Sequence, residues 1–265
     1  MLSNNPILSS SFAIIGTAWR FYKKQPVLNA VAFWFFFAPS AALSALDVFT
    51  ETSQESVSPF PIEYISLMSP VAIAVAIPVS IAVIYLSLWG QACTLVICQR
   101  MIKSPAGRNR TSFAAVRQQA QKYIFLLFVT EVIRTCKMLL WGLLLVVPGI
   151  IYGIRTAFYD ILIINDDAPY GRESLRRSMA LVTGRTWEIL WRMLVMMACV
   201  LLPAGLIAGA VEKGLTLTDD RLFILGGLIS DAIGAYAGMF FLVCLIALFS
   251  ELKKAVAPIG VTRTR

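Results

Sequence analysis

Apolar runs of eighteen residues or more recur along this 265-residue chain, and they constrain its fold more than any other feature. A run of that length, coiled at 1.5 Å per residue, matches the ~30 Å hydrocarbon core of a bilayer. Inside that core no water satisfies a peptide group, so only helices and closed barrels cross it. Barrel strands alternate apolar and polar residues over ~10-residue segments, and no such alternation runs through this sequence. Charged residues make up 14% of the chain, against roughly 25% in soluble domains. The expected fold is all-α: a polytopic membrane protein with six transmembrane helices and three cytoplasmic interfacial amphipathic helices. Residues 1–250 form a single integral membrane domain, and 251–265 form a basic cytoplasmic tail whose composition predicts disorder.

Taken in order, residues 11–25 read as an interfacial helix, with Ile15, Trp19 and Tyr22 on one face and Arg20, Lys23 and Lys24 off it. Residues 1–24 do not read as a cleaved signal peptide, because the positive charges follow the apolar residues. Pro26 breaks this helix, and a first span covers 27–48. An acidic loop, Asp47 to Glu63, lacks Lys and Arg. The apolar stretch 65–98 is too long for one upright span and too short for two, so it reads as one tilted helix that begins near Pro70 and kinks near Pro78. After a linker at 104–107, a second amphipathic segment at 112–122 places Phe113, Val116, Ala120 and Tyr123 on one stripe. The third span, 123–147, carries Glu131, Arg134 and Lys137 at three-residue spacing on neighbouring parts of one face.

Pro148-Gly149 reads as the structural hinge that ends this span, because proline cannot continue the hydrogen-bond ladder and glycine permits a tight turn. Residues 150–165 measure only about 24 Å if helical, so this fourth element is short or its hairpin stops inside the bilayer. A third amphipathic segment, 171–184, carries the stripe Leu175, Met179 and Val182 beside Arg172, Arg176 and Arg177, with Gly184 as its C-cap. The fifth span covers 186–210 with Pro203 inside, a polar loop covers 212–221, and the sixth span covers 222–250.

Charge distribution supports this topology. Eighteen of the 23 Lys and Arg fall on the segments assigned to the cytoplasm, and the outer loops hold only Lys213 and Arg221. By the positive-inside rule both termini are cytoplasmic. The net charge of +8 is dispersed between apolar runs rather than clustered on a soluble domain, which argues against a nucleic-acid partner. The chain has no histidine, so the commonest general base and zinc ligand are missing. Its five cysteines all lie in apolar runs without a CxxC spacing and read as buried apolar thiols, with neither a metal site nor a cofactor site expected. An amphipathic basic segment precedes a pair of spans three times (11–101, 112–166 and 174–250). Ser11-Phe12-Ala13 and Ser112-Phe113-Ala114 open the first two, which suggests parallel helix-pair repeats.

The central pattern is Pro148-Gly149-Ile150, then Arg155, the acidic turn Asp166-Asp167, and Ser178, Leu181 and Gly184 spaced as S-x-x-L-x-x-G. The opening run Ala18-Trp19-Arg20-Phe21-Tyr22-Lys23-Lys24 accompanies it. Together these resemble the membrane domain found beside some glycerophosphoryl diester phosphodiesterases and the YciC-like inner-membrane families. The motif covers roughly a fifth of the chain and the helix layout nearly all of it. The resemblance implies a six-helix domain of a bacterial cytoplasmic (inner) membrane without an established activity. It does not imply phosphodiester hydrolysis, which in that enzyme family belongs to a separate barrel built on histidines and acidic metal ligands.

Ionisable groups inside a membrane are candidate ligand or ion-pair sites by default. Here they are Glu131, Arg134, Lys137, Arg155, Asp160 and Asp231. Arg155 and Asp160 could bind a polar headgroup or form a relay; the alternative is neutralisation across the hairpin by Glu131, Arg134 or Lys137. Gly234 and Gly238 form a GxxxG suited to close packing. Ser178 is expected to bond backbone or pack on the hairpin, since no partner base is evident. Arg20, Lys23, Lys24, Arg172, Arg176 and Arg177 are the lipid-facing basic residues, suited to anionic membrane lipids. With no catalytic constellation, the expected function is that of a non-enzymatic accessory or lipid-interacting scaffold, whose other partner would be a second membrane protein. A small-molecule or lipid transporter is the alternative.

Overall fold

The computed structural model describes residues 8–51, 70–103, 112–165, 169–218 and 222–260, and every regular element among them is a helix. In chain order these are α1 (Ser11–Lys24), α2 (Val27–Val31), a π-helical segment (Ala32–Phe37), α3 (Ala38–Glu51), α4 (Pro70–Lys103), α5 (Phe113–Gln121) and α6 (Ile124–Leu144). They continue with α7 (Val146–Arg155), α8 (Tyr159–Asn165), α9 (Arg172–Val182), α10 (Thr186–Thr218) and α11 (Phe223–Gly260). Five stretches are long and apolar enough to cross a bilayer: Val27–Ser44, Ile77–Gln99, Val146–Asn165, Thr186–Leu217 and Ile224–Ala255. The sequence expectation of six included α6. That helix has 21 residues, about 31 Å, but Glu131, Arg134 and Lys137 fall in every 18-residue stretch of it. Of the acidic loop expected from Asp47 to Glu63, residues 47–51 are the last turn of α3, while residues 52–63 and the linker at 104–107 lie outside the described residues.

The core gathers at one end of the bundle around α11, which packs along α10 and also meets α1, the π segment, α3, α4 and α9. Met239, Val243, Cys244 and residues 246–249 of α11 are buried against Ala92, Cys93 and residues 95–98 of α4. All seven residues of α8 are buried, and it packs on α9, α4 and α6. At the α6–α7 turn the opposite holds: residues 143–147, Leu-Leu-Leu-Val-Val, are each 65–89% exposed. Five consecutive apolar side chains bared in this way suit a hydrocarbon surround and would be an aggregation site in water.

The hinge of that hairpin sits three residues before the position the sequence suggests. The chain leaves helical geometry at Leu145 (φ −160, ψ 135), and Pro148 lies in the first turn of α7. The first four amides of a helix have no intrahelical acceptor, so a proline there removes a donor that had no partner. Gly149 then lets the two helices close up, because a Cβ on it would lie 2.9 Å from the Gly142 Cα. Residues 150–165 also form no single helix: a turn at 156–158 separates α7 from α8.

The π segment Ala32–Phe37 was not foreseen. It delivers Phe35 and Phe36 onto α4 where Gly90 leaves room, and a Cβ on Gly90 would stand 2.5 Å from the Phe35 Cβ. On α1 the buried face is Ser11, Ile14 and Ala18, one position away from the expected Ile15–Trp19–Tyr22 face. Those aromatics cover the flank instead: Trp19 stacks on Tyr22 at 5.7 Å, and both meet Phe240 edge-on. The α5 stripe packs as expected, with Val116 and Ala120 buried and Phe113 and Tyr123 against the core.

α10 runs through Thr218, so most of the expected 212–221 loop is helical. Gly226 of α11 packs on the Glu212 backbone and extends the contact between the two helices. The tail expectation is corrected too. α11 continues to Gly260 because Leu252 and Ala255 prolong its buried stripe, while residues 261–265 lie outside the description. Only Cys93, Cys98 and Cys244 are buried as expected; Cys136 and Cys199 are exposed on α6 and α10.

Candidate functional site

The polar groups of the apolar interior meet where α6 packs on the α7–α8 break. Ser178 of α9 organises that break. Its hydroxyl donates to the Arg155 carbonyl (2.9 Å) and accepts from the Phe158 amide (3.2 Å), two backbone groups released by the turn. Thr156 adds a donor to the Tyr152 carbonyl (2.7 Å). The Gly171 amide donates to Thr130 Oγ1 (2.8 Å), and Gly171 takes φ +76 to begin α9, so that helix is held to α6 as well. Gly184, at φ +86, closes α9 in the left-handed conformation that favours glycine. The buried stripe of α9 is Ser174, Leu175, Ser178 and Val182; the expected Met179 is only half-buried.

This arrangement places Thr156 and Tyr159 opposite Glu131 and Arg134. Glu131 and Arg134 form an ion pair at 3.0 Å. Arg134 Nε donates to Thr156 Oγ1 (3.2 Å), and its guanidinium lies 5.7 Å from the Tyr159 ring centroid. The Tyr159 hydroxyl donates to Glu131 Oε2 (2.5 Å) and Thr135 to Glu131 Oε1 (3.3 Å). On the next residue, the buried Asp160 carboxylate accepts from Gln91 Nε2 of α4 (3.0 Å) and from the Ile161 amide (2.8 Å). Gln99 donates to the Ile164 carbonyl (3.0 Å), which ties α8 to α4 a second time. A charge left unpaired in low dielectric is costly, and a charge ringed by hydrogen-bond partners is not. The cluster therefore braces α4, α6, α7 and α8 against one another.

The other predicted residues disperse. Arg155 is exposed and donates to Thr186 Oγ1 (3.3 Å), so it pairs neither with Asp160 nor with the cluster. Lys137 is half-buried and makes no ion pair among the described residues. Asp231 accepts from Ser44 Oγ of α3 (2.7 Å) and links that helix to α11. Gly234 and Gly238 have nothing within 4 Å of a built Cβ, so the GxxxG packs on no helix among the described residues. Arg20, Lys23, Lys24, Arg172, Arg176 and Arg177 are exposed, with Lys23 4.9 Å from the Trp19 ring centroid. Arg176 and Arg177 both pair with Glu173, at 3.1 and 3.2 Å. Their guanidiniums, Arg177 first, hold the Glu173 carboxyl below its ordinary range. Sequence reading passed over Gln91, Thr156, Tyr159 and Ser44. Gln91 alone carried a signal, as an amide inside the apolar stretch Ile77–Gln99.

The helices, the bare apolar hairpin tip and the internally satisfied charges define a multi-pass helical membrane protein. Compared with protein-family models, curated proteins and solved structures, the chain has no significant match.

Proposed function

We propose that the protein is a non-enzymatic scaffold of a bacterial inner membrane, with both termini in the cytoplasm and α6 as a sixth membrane helix. Its α1, α5 and α9 lie in the cytoplasmic interface, where their basic residues gather anionic lipids or present the bundle to another membrane protein. The motif carried by Pro148, Gly149, Ser178 and Gly184 supports the likeness to the six-helix domains named above. The observation that carries the reading is the use made of the intramembrane charges. Glu131, Arg134, Asp160 and Asp231 are held by partners on other helices. A transport site needs such groups open to cargo. Arg155, Asp160 and Asp231 do not line the apolar cleft between α3 and α4 or the smaller cavity near Gln91. Pairing Glu131 with Arg134 also lowers the cost of placing α6 in the bilayer.

The reading is tested by cysteine labelling from each side of the membrane, together with native mass spectrometry of gently extracted protein. Lys24→Cys and Lys254→Cys should label from the cytoplasm and Lys213→Cys from outside. The protein should carry lipid and no stoichiometric small molecule. Termini on opposite sides would remove α6 from the spans. A small molecule retained by the wild type and lost in Asp160→Asn would favour transport. That second reading rests on Gln91, which holds Asp160 and also lines a cavity of about 330 Å³ beside Ser87 and Phe36.

A further inference from the structure

A cleft of about 700 Å³ opens between the α3 and α4 sides of the bundle, walled by Trp34, Phe35, Ala42, Ala82, Leu86 and Trp89. Its size falls within the usual range for ligand sites, about 300–1,000 Å³. Both walls belong to stretches long and apolar enough to cross the membrane, so the cleft opens toward acyl chains. Between Val79 and Trp89 the α4 wall runs about 15 Å at 1.5 Å per residue. Alanines line its middle and leave the space; Phe35, Trp89 and Phe113 close one end, with ring centroids 5.2 and 6.2 Å apart about Phe35.

Arg117 stands at that closed end. Trp89 Nε1 donates to the Arg117 main-chain carbonyl (3.2 Å), and the guanidinium lies 6.0 Å from the Trp89 ring centroid. Arg134, Arg176, Arg177 and Arg192 each hold a carboxylate. Arg117 makes no ion pair among the described residues, and the exposed Gln121 follows one turn on along α5. The Phe35 wall is delivered by the π segment, a geometry common at functional sites.

We propose that this cleft binds one acyl chain of an anionic phospholipid whose phosphate is held by Arg117. The proposal rests on the lipid-interacting reading above and names its site and ligand class. An acyl chain gains little by moving from bilayer to cleft, since both are apolar. Selectivity then comes from the headgroup, and a cation at the Phe35–Trp89–Phe113 end of the cleft selects negative charge.

The test uses full-length protein in phosphatidylcholine nanodiscs containing a trace of phosphatidylglycerol or phosphatidylcholine that bears a photoreactive diazirine on one chain. The phosphatidylglycerol probe should crosslink to peptides around residues 34–42 and 79–89, at least fivefold above the phosphatidylcholine probe. Arg117→Gln, which leaves the main-chain bond to Trp89 intact, should bring the two probes level. Ala82→Phe, which fills the cleft and spares Arg117, should lower both at these peptides. The wild-type crosslink map decides the location even if Ala82→Phe fails to fold. Phosphatidylglycerol crosslinks concentrated on α1 and α9, and unchanged by Arg117→Gln, would overturn this site while leaving the lipid-interacting reading intact. Equal, scattered crosslinking by both probes would overturn both.

Discussion

Replacing Ser178 by alanine removes the one side chain that satisfies both backbone groups freed at the α7–α8 break. Ser178 is fully buried, and its hydroxyl accepts the hydrogen bond of the Phe158 amide. A buried donor left without an acceptor costs about 1–3 kcal/mol, and the lost bond to the Arg155 carbonyl about 0.5–1.5 more. Alanine's better helix propensity returns about 0.5 kcal/mol on α9. The net expectation spans about 1–4 kcal/mol, with its centre at about 2–3 kcal/mol, concentrated at the break that positions Thr156 and Tyr159. In hydrogen exchange on nanodisc-embedded protein, the Phe158 amide should exchange roughly 30- to 150-fold faster at tenfold per 1.4 kcal/mol. Thr183→Ala is the control: its exposed hydroxyl bonds only the Met179 carbonyl of its own helix (2.7 Å), and surface changes of this kind stay within ~0.5 kcal/mol. Phe158 exchange within threefold of wild type, with unfolding stability unchanged, would refute the assignment of Ser178 as the brace of the hairpin.

Gly149→Ala should destabilise the α6–α7 hairpin by about 1–3 kcal/mol, because the new Cβ meets the Gly142 backbone at 2.9 Å. Gly142→Ala, with nothing within 4 Å of its Cβ, should be neutral or stabilising, and equal losses in unfolding assays would contradict this packing. Arg192 pairs with Glu188 at 2.9 Å and donates to the Ser9 and Leu8 carbonyls at 3.0 and 2.8 Å. Arg192→Leu should therefore release the segment before α1, seen as protease cleavage there while the bundle stays folded; an uncut chain would show that other contacts hold it. Glu173 titrates below its ordinary value of 4.5 because Arg177 and Arg176 favour its charged form. Its contribution to α9 is present above about pH 4.5 and lost as pH falls through the lower folded value. Exchange protection of α9 should thus stay flat from pH 8 to 5, fall below that, and lose the acid dependence in Glu173→Gln.

Hydropathy and local chemistry made much of this bundle readable in advance. The start of α4 at Pro70, the stripe of α5 and the glycine that closes α9 are each set within a few residues of chain, by the helix period or by backbone freedom. Local reasoning also placed Ser178 against backbone, though not against which backbone. It erred where two local signals competed. Pro148-Gly149 looks like a helix stop, yet the proline sits where a missing amide is harmless and the chain breaks at Leu145 instead. On α1, the aromatic stripe drew attention from the smaller Ile14–Ala18 face that tight packing on α11 prefers.

The sequence by itself determined that the chain is helical and multi-pass, because a bilayer demands long apolar segments with every backbone group satisfied internally. Tertiary structure alone decided the partners of the charges. Tyr159 reaches Glu131 across 28 residues, and Gln91 reaches Asp160 across 69. It also decided that Arg155 turns to Thr186. The apolar cleft likewise exists only once the π segment has seated Phe35 against Gly90 and left the neighbouring alanines facing open space. Periodicity tells which face of a helix is apolar, but not which helix will meet it or at what height. Those choices depend on how side chains from separate helices interlock, and the partners of a buried charge follow from them.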